Sequence, residues 1–134
     1  MNLIEGSVVN SDDVRFRTAD GELTLVPTPE WAEPLAPYVA SGRKVILGVR
    51  PEDIAILDDA AHAPESDSTV RARVDLVEPT GNEALLYTSA AGHDVAIRTD
   101  RHTLPSVGSE LTIVLDPRRA HFFDAESGAE VGIA

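Results

Sequence analysis

The stretch Gly48-Val49-Arg50-Pro51-Glu52-Asp53 carries more information about the fold than any other part of the sequence. It follows the apolar run Val45-Ile46-Leu47 and precedes Ile54-Ala55-Ile56-Leu57. A proline biases the residue before it toward extended backbone, so Arg50 should end one strand. Pro51 and the two acidic residues after it should then form a charged corner that leads into a second short strand.

An alternation of apolar and polar residues continues on both sides of this corner. In the stretch from Val70 to Leu76 every second residue is apolar, which predicts a half-buried strand whose apolar side chains face the core. The same period recurs in residues 14–17, 23–25, 94–98 and 111–115, and residues 84–87 are typical of a more deeply buried strand. Gly21 and Gly92 mark hairpin turns, because glycine tolerates the positive φ that such turns need. The pattern predicts an all-β barrel or sandwich of short antiparallel strands.

One segment lacks this alternation. Residues Pro29 to Glu33 can form a helical turn, but Pro34 and Pro37 each remove an intrahelical hydrogen bond. We expect irregular or 3₁₀ structure here, with Trp31 packed as a lid and Ser41-Gly42 ending the segment.

The domain organisation follows from length and from one acidic segment. A chain of 134 residues fits one domain, or two small barrels that share a core. Residues 58–68 contain four acidic side chains and no alternation, which predicts an acidic loop. We therefore treat residues 1–134 as one domain, with halves 1–58 and 68–134 joined by that loop.

Composition excludes several classes of function. The net charge of −12, with Lys44 as the single lysine, argues against nucleic-acid binding and against anionic membrane surfaces. There is no cysteine, so neither a disulfide nor a thiolate metal site is available. The start of the sequence has no secretory pattern, and the longest apolar run, Val45–Val49, is too short to span a bilayer. We expect a soluble cytoplasmic domain.

Catalytic motifs are missing as well. Phosphoryl transfer by ABC ATPases needs the loop Gly-x-x-x-x-Gly-Lys-[Ser/Thr], whose amides and lysine bind the phosphates, and Lys44 lies outside any such frame. The ABC signature motif is not recognisable either. The four histidines lack the spacing of zinc ligands, and no Gly-x-Ser-x-Gly sequence is present. We predict no enzymatic activity and no cofactor for this chain.

Two further blocks accompany the Arg50 corner, namely Val77 to Glu83, which includes Pro79-Thr80-Gly81, and Asp116 to Asp124 followed by Ser127-Gly128. In this order and at these separations the three blocks resemble the C-terminal regulatory domain of sugar-importer ATPases of the MalK type. The resemblance covers nearly the whole chain, and Met1-Asn2-Leu3 resembles the place where that domain begins. It implies a TOBE or oligonucleotide-binding (OB) fold, with two small barrels and strands exchanged between the halves.

The resemblance also implies a function. The chain would be a non-catalytic regulatory and dimerisation domain of the ATP-binding subunit of an ABC importer for sugars or sugar-like solutes. ATP and magnesium would belong to an ATPase domain that precedes Met1. The implied partners are that ATPase domain, a second copy of the subunit, the importer permease subunits and regulatory proteins. The implied location is the inner face of the cell membrane, through the parent transporter.

Seven residues are candidates for an interface or regulatory site. Arg50, Pro51 and Glu52 form the charged corner, where arginine could make bidentate contacts with a partner. A local interpretation competes with this one: Glu52 or its neighbour accepts backbone amide hydrogen bonds while Arg50 pairs with a carboxylate. The other candidates are Gly81 and Glu83 in a predicted hairpin turn, and His121 and Phe122 in a predicted closing strand of the barrel.

Two other functions stay open at this point. An oxyanion sensor of the OB or TOBE type would need converging amides and arginines, and Arg118-Arg119 is the one adjacent arginine pair in the sequence. An OB-type nucleic-acid binder would need a basic groove with stacking aromatic residues, which six aromatic residues and a net charge of −12 disfavour.

Overall fold

The computed structural model describes residues 1–10, 12–57, 68–100 and 104–132. These residues form ten strands and one α-helix, together with three single 3₁₀ turns at Pro29–Trp31, Pro51–Asp53 and Pro117–Arg119. The helix is α1 (Ala32–Ser41). The strands are β1 (Asn2–Asn10), β2 (Val14–Arg17), β3 (Thr24–Leu25), β4 (Val45–Val49), β5 (Ile54–Leu57), β6 (Thr69–Pro79), β7 (Ala84–Ala90), β8 (His93–Thr99), β9 (Glu110–Leu115) and β10 (His121–Asp124). The predicted all-β class is confirmed.

The strands form two antiparallel sheets of five strands each. The first has the order β10-β4-β1-β2-β3, and the second has the order β5-β9-β6-β7-β8. The last strand of the chain therefore belongs to the sheet that the first strands build, which is the exchange implied by the resemblance. The division into halves 1–58 and 68–134 stays a prediction, because the acidic loop lies outside the described residues apart from Ser68.

The core of the first sheet is aromatic at its centre. Phe122 on β10 is fully buried and packs against Phe16, with 6.0 Å between ring centroids. Trp31 meets the same Phe122 ring edge-on at 5.0 Å, so it covers the core as predicted. Three of the six aromatic residues in the chain thus meet at one point, and Val, Leu, Ile and Ala supply most of the remaining core.

The expectation of irregular or 3₁₀ structure is confirmed for Pro29–Trp31, which is a 3₁₀ turn, and was wrong for Ala32–Ser41, which is a ten-residue α-helix. Pro34 lies in the first turn, where a backbone N–H has no intrahelical partner, so it removes nothing. Only Pro37 removes an internal hydrogen bond, and burial of Leu35 on the inner face of the helix offsets that loss. Gly42 ends the helix in the left-handed region (φ 70°), and its N–H donates to the Tyr38 carbonyl at 3.1 Å.

Direct hydrogen bonds join the two sheets. The Asn2 side-chain amide donates to the Ala96 carbonyl and accepts from the Ala96 N–H, both at 2.8 Å, so it substitutes for a strand residue beside β8. Ser68 forms the second link, because its N–H donates to the Thr24 carbonyl and its carbonyl accepts from the Leu115 N–H at 2.9 Å. These contacts satisfy backbone groups that would otherwise be unpaired at the sheet edges.

A β-bulge in β6 changes which side chains face the core. Val74 pairs with Thr88 and Leu76 pairs with Tyr87, so Asp75 is an extra residue on β6. The strict alternation predicted Leu76 on the core face, and this prediction was wrong, because one inserted residue moves every later side chain to the other face. Leu76 is 53% exposed, and Val77 packs against the core instead.

A polar cluster fixes the end of β10 to helix α1. The buried Asp124 carboxylate accepts hydrogen bonds from the Ser127 and Glu126 N–H groups at 3.0 and 2.8 Å and from the Tyr38 hydroxyl at 2.8 Å. Arg43 also donates to Asp124 and lies over the Tyr38 ring, 5.4 Å from its centroid. The Ser127 N–H and then the Tyr38 hydroxyl are the main causes that lower the pKa of Asp124 to about 2.

The bulge predicts different costs for two leucines on neighbouring strands. Leu86→Ala should lower the free energy of unfolding by about 2–5 kcal/mol, because Leu86 is fully buried. Leu76→Ala should change it by less than about 0.5 kcal/mol, because Leu76 lies on the surface. Urea denaturation of both variants checks this, and equal losses would place Leu76 in the core after all.

The lowered pKa of Asp124 predicts that part of the stability of the fold is lost in acid. Its pKa in the folded state is lower than in the unfolded state, so its stabilisation is present above about pH 4 and is lost as the pH falls toward 2. Thermal melts of Asp124→Asn across this range should show a shallower fall in melting temperature than melts of the parent chain. Glu33→Gln, at an exposed position on α1 outside this cluster, is the control and should keep the parent slope.

Candidate functional site

The Arg50 corner is one half of a paired structure. β4 pairs with β10, with Val45 opposite Asp124 and Gly48 opposite His121. On the far side of the corner β5 pairs with β9, beginning with Ile54 opposite Leu115. The same antiparallel register holds on both sides, because the two intervening 3₁₀ turns, Pro51–Asp53 and Pro117–Arg119, have equal length. We call these two turns, with the residue that precedes each, the paired corners.

Each of the paired corners carries the chain from one sheet to the other. The first connects β4 to β5, and the second connects β9 back to β10. A backbone hydrogen bond of 3.4 Å from the Asp116 N–H to the Asp53 carbonyl joins them. Continuing the register through the turns sets Pro51 opposite Arg118, so an acidic corner lies beside a basic one.

The basic corner is held by a side chain. The Asp116 carboxylate accepts the Arg118 N–H at 3.0 Å, and the Arg118 guanidinium donates two further hydrogen bonds to it at 3.1 Å. The Arg118 side chain and then its N–H are the main causes that lower the pKa of Asp116. Asp116 is therefore ionised at neutral pH and acts as a cap for this turn.

The acidic corner is held by the backbone alone. Arg50 is extended, as predicted from the proline after it, and its carbonyl accepts the Asp53 N–H at 2.9 Å. Within the described residues, the side chains of Arg50, Glu52 and Asp53 make no hydrogen bond or ion pair. The local interpretation, in which these side chains stabilise the turn, was therefore wrong: backbone hydrogen bonds suffice to close it.

The acidic side chains of the corner face two grooves, of which Glu52 lines both and Asp53 lines one. One groove, of about 440 Å³, lies in the seam between β5 and β8, and Glu83 also lines it. There Glu83 forms an exposed ion pair with Arg98 at 3.4 Å. The other groove, of about 670 Å³, lies between the paired corners and is lined by Arg118 and Arg119 as well as Glu52. The corner and the Gly81 turn thus border one continuous surface.

The remaining candidates occupy different environments. Gly81 lies in an exposed turn at φ 86°, which explains the glycine there. His121 is partly exposed on β10, with Nδ1 3.4 Å from a Glu130 carboxylate oxygen. Phe122 is wholly buried in the core, so it belongs to the closing strand and offers no exposed contact.

The facing arginines were a missed part of this site. Arg118 and Arg119 were considered only as an oxyanion pair, although their sequence context resembles that of the first corner: a strand, one residue, a proline and two charged residues, with the next strand beginning directly at Ile54 and, after Ala120, at His121. That similarity was the available signal. The described residues hold no cluster of three or more His, Asp or Glu side chains suited to a metal ion. They also include no helix with the length and hydrophobicity needed to cross a membrane.

Comparisons with known proteins agree with this architecture. Residues 47–123 match the model of the TOBE domain, which is more than half of the chain. The chain belongs to the TOBE domain family. Residues 1–54 match a second model, the MalK OB fold domain, so the two matches overlap at the Arg50 corner. The resemblance inferred from the sequence is confirmed.

The similar proteins are ATP-binding proteins of transporters. The chain is 33% identical over 127 residues to the uncharacterized ABC transporter ATP-binding protein YcjV of Escherichia coli O157:H7, covering 95% of this chain and 32% of that protein. It is 34% identical over 131 residues to the sn-glycerol-3-phosphate import ATP-binding protein UgpC of Yersinia enterocolitica, covering 96% of this chain and 33% of that protein. The chain thus spans about a third of the length of these curated relatives.

A solved structure shares the fold. The cytoplasmic molybdate-binding protein ModG superposes with a TM-score of 0.71 at 16% identity, over 90% of this chain and 94% of that one. At this identity the likeness shows the architecture alone.

The contrast between the two corners yields a prediction. Glu52→Ala should change the free energy of unfolding by less than about 0.5 kcal/mol, because Glu52 makes no bond within the described part of the chain. Asp116→Ala should cost about 0.5–2 kcal/mol, because it removes the cap of the other corner. Thermal and urea denaturation of both variants measure the difference, and a similar cost for Glu52→Ala would assign that residue a structural role.

Proposed function

We propose that the chain is a non-catalytic regulatory and dimerisation domain of the ATP-binding subunit of an ABC importer for sugars or sugar-like solutes. One observation carries the proposal: relatives named as ATP-binding proteins match nearly all of this chain but only about a third of their own length. The phosphate-binding loop and the ABC signature are not found in these residues, so nucleotide chemistry would reside elsewhere in such a subunit.

The role follows from what an importer ATPase requires. Its two catalytic domains must separate and rejoin in each cycle, and a domain that stays paired keeps them at high effective concentration. The chain would therefore contact its own ATPase domain, a second copy of itself and, through the parent, the permease subunits. Regulatory proteins could bias the same pairing. Its place would be cytoplasmic, at the inner face of the membrane, with ATP and magnesium held by the parent.

The paired corners are the surface we assign to self-pairing. Glu52 and Asp53 carry negative charge, and Arg50 positive charge, without a hydrogen bond or ion pair among the described residues, and Arg119 acts electrostatically on the Asp116 carboxylate. A two-fold axis would set the acidic corner of one copy against the basic corner of the other. Such local complementarity is needed, because a net charge of −12 on each copy causes general repulsion. Phe122 is left out of this surface because it is buried.

Oxyanion binding, the alternative considered from the sequence, has weaker support. ModG is described as molybdate-binding, and Arg118 and Arg119 do line a groove here. The same groove is also lined by three carboxylates, those of Glu52, Asp53 and Asp116. Asp116 already engages Arg118 through two side-chain hydrogen bonds, so the field in the groove disfavours an anion.

Charge reversal provides the test. We expect a weak homodimer, with an association constant that rises with salt as the general repulsion is screened. Glu52→Arg and Arg119→Glu should each weaken pairing by about tenfold, through like charges brought together across the interface. The double variant should restore pairing, because the pair is rebuilt with reversed sign. Sedimentation equilibrium at low and high salt measures all four proteins.

The control for Glu52→Arg is Glu78→Arg, which makes the same change of net charge, from −12 to −10, at an exposed site on β6. It should leave pairing unchanged or slightly stronger. A strict monomer at high protein concentration in both salts would contradict the self-pairing function. A homodimer whose association constant is unchanged by the corner substitutions would support the self-pairing function but show that the interface lies elsewhere.

A further inference from the structure

The bulge in β6 creates an exposed apolar pair on the second sheet. Leu76 and Tyr87 lie opposite each other on β6 and β7, and they are 53% and 37% exposed. If β6 were regular here, with Asp75 paired and no bulge, Leu76 would point into the core with Val74. Bulges often re-aim side chains near functional surfaces, so this bulge makes the outer face of the sheet a candidate for a functional surface.

A small groove adjoins the pair. It has a volume of about 370 Å³ and its lining residues are Asn2, Asp75, Tyr87, Thr88, Asp94, Val95 and Ala96. Ala96 lies opposite Tyr87 on β8, so the groove runs along the same face of the sheet. The Tyr87 hydroxyl makes no hydrogen bond within the described residues. The phenol ring therefore stands at the edge of an open surface, with its polar tip available.

Two carboxylates flank this groove. Asp75 accepts hydrogen bonds from the Ser89 hydroxyl and from Arg73 Nε, the latter at 3.1 Å, and these bonds lower the pKa of Asp75. Asp94 lies opposite Ser89 on the neighbouring strand and has no ion pair among the described residues. The apolar pair thus has an acidic border, in which Asp75 is ion-paired with Arg73 and Asp94 is the carboxylate without an ion pair in the described part of the chain.

The charge of this border determines which kind of partner can bind the surface, a second copy of the chain or a basic segment of another protein. A second copy would bring Asp75 and Asp94 toward the same carboxylates of its partner, on top of the repulsion between two chains of net charge −12. A basic segment would instead meet complementary charge. Tyrosine also suits cations, because an arginine or lysine over the face of its ring is attracted by the ring quadrupole.

We propose that this outer face, formed by Leu76, Tyr87, Asp75 and Asp94, docks a segment of a partner protein that presents an arginine or lysine beside an apolar side chain. The cationic group enters the groove between the two carboxylates, and the apolar side chain covers Leu76. An apolar centre with a polar border is the usual anatomy of an interface, and tyrosine is enriched at the hot spots of such surfaces. This surface is separate from the paired corners, so it does not depend on the self-pairing proposed above.

The probe is a synthetic tripeptide, acetyl-Leu-Arg-Leu-amide, titrated into the isotope-labelled 134-residue chain and followed by amide chemical shifts in NMR. We expect saturable shifts confined to residues 75–76, 87–89 and 94–96. The same peptide with citrulline, which keeps the shape and removes the charge, should bind at least about twofold to fivefold more weakly. Tyr87→Ala and Asp94→Asn should each weaken binding of the arginine peptide by a similar factor.

Two variants serve as matched controls, and the amide spectra report folding directly. Leu3→Ala alters an exposed apolar residue on the other sheet, and Asp100→Asn alters an exposed carboxylate away from the groove; both should bind like the parent chain. Absence of saturable shifts at the named residues up to the solubility limit of the peptide would overturn the proposal. Equal binding of the citrulline peptide would overturn it as well. Shifts of the same residues on concentrating the protein without peptide would assign the face to a second copy instead.

Discussion

The architecture depends on two chain crossings that must match in length. β4 enters its corner hydrogen-bonded to β10 and leaves it as β5, bonded to β9, in an unchanged register. A residue added to one corner alone would break that register and turn the side chains of one flanking strand to the wrong face. The two prolines fix φ at the start of each turn, and backbone hydrogen bonds close the acidic corner while the Asp116 side chain caps the basic one. The charged side chains of the acidic corner are therefore available for contacts outside the chain.

Much of the fold could be predicted because it follows from local rules. Alternation located the strands, and glycines at positive φ located the turns, as at Gly21 and Gly92. Two expectations failed for reasons that local rules do not contain. The prolines of α1 were weighed as helix breakers, whereas their cost depends on which N–H groups already lack a partner. Leu76 was assigned to the core. A single bulged residue turns the side chains after it to the opposite face of the sheet, and a strictly alternating sequence gives no sign of such a bulge.

The candidate site was predictable only in part. Arg50, Pro51 and Glu52 were recognised, and the structure adds that Glu52 and Glu83 border one groove. The second corner was not connected with the first, because residues more than sixty positions apart become neighbours only through strand pairing. Phe122 was recognised from its sequence pattern. Whether such a residue lies in the core or on the surface depends on its burial in the fold, and an alternating sequence does not determine which strands cover it.

The return of β10 to the first sheet has a consequence for synthesis of the chain. The open edge of β4 receives its partner only when residues 121–124 emerge, so the N-terminal sheet remains incomplete while the rest of the domain is being made. Phe16 and Trp31 lack their central ring contact for the same interval. Long-range strand pairing of this kind slows folding and exposes unpaired edges. The first sheet therefore cannot be truncated or transplanted as one continuous segment, because the five strands of the second sheet lie between β4 and β10 in the sequence.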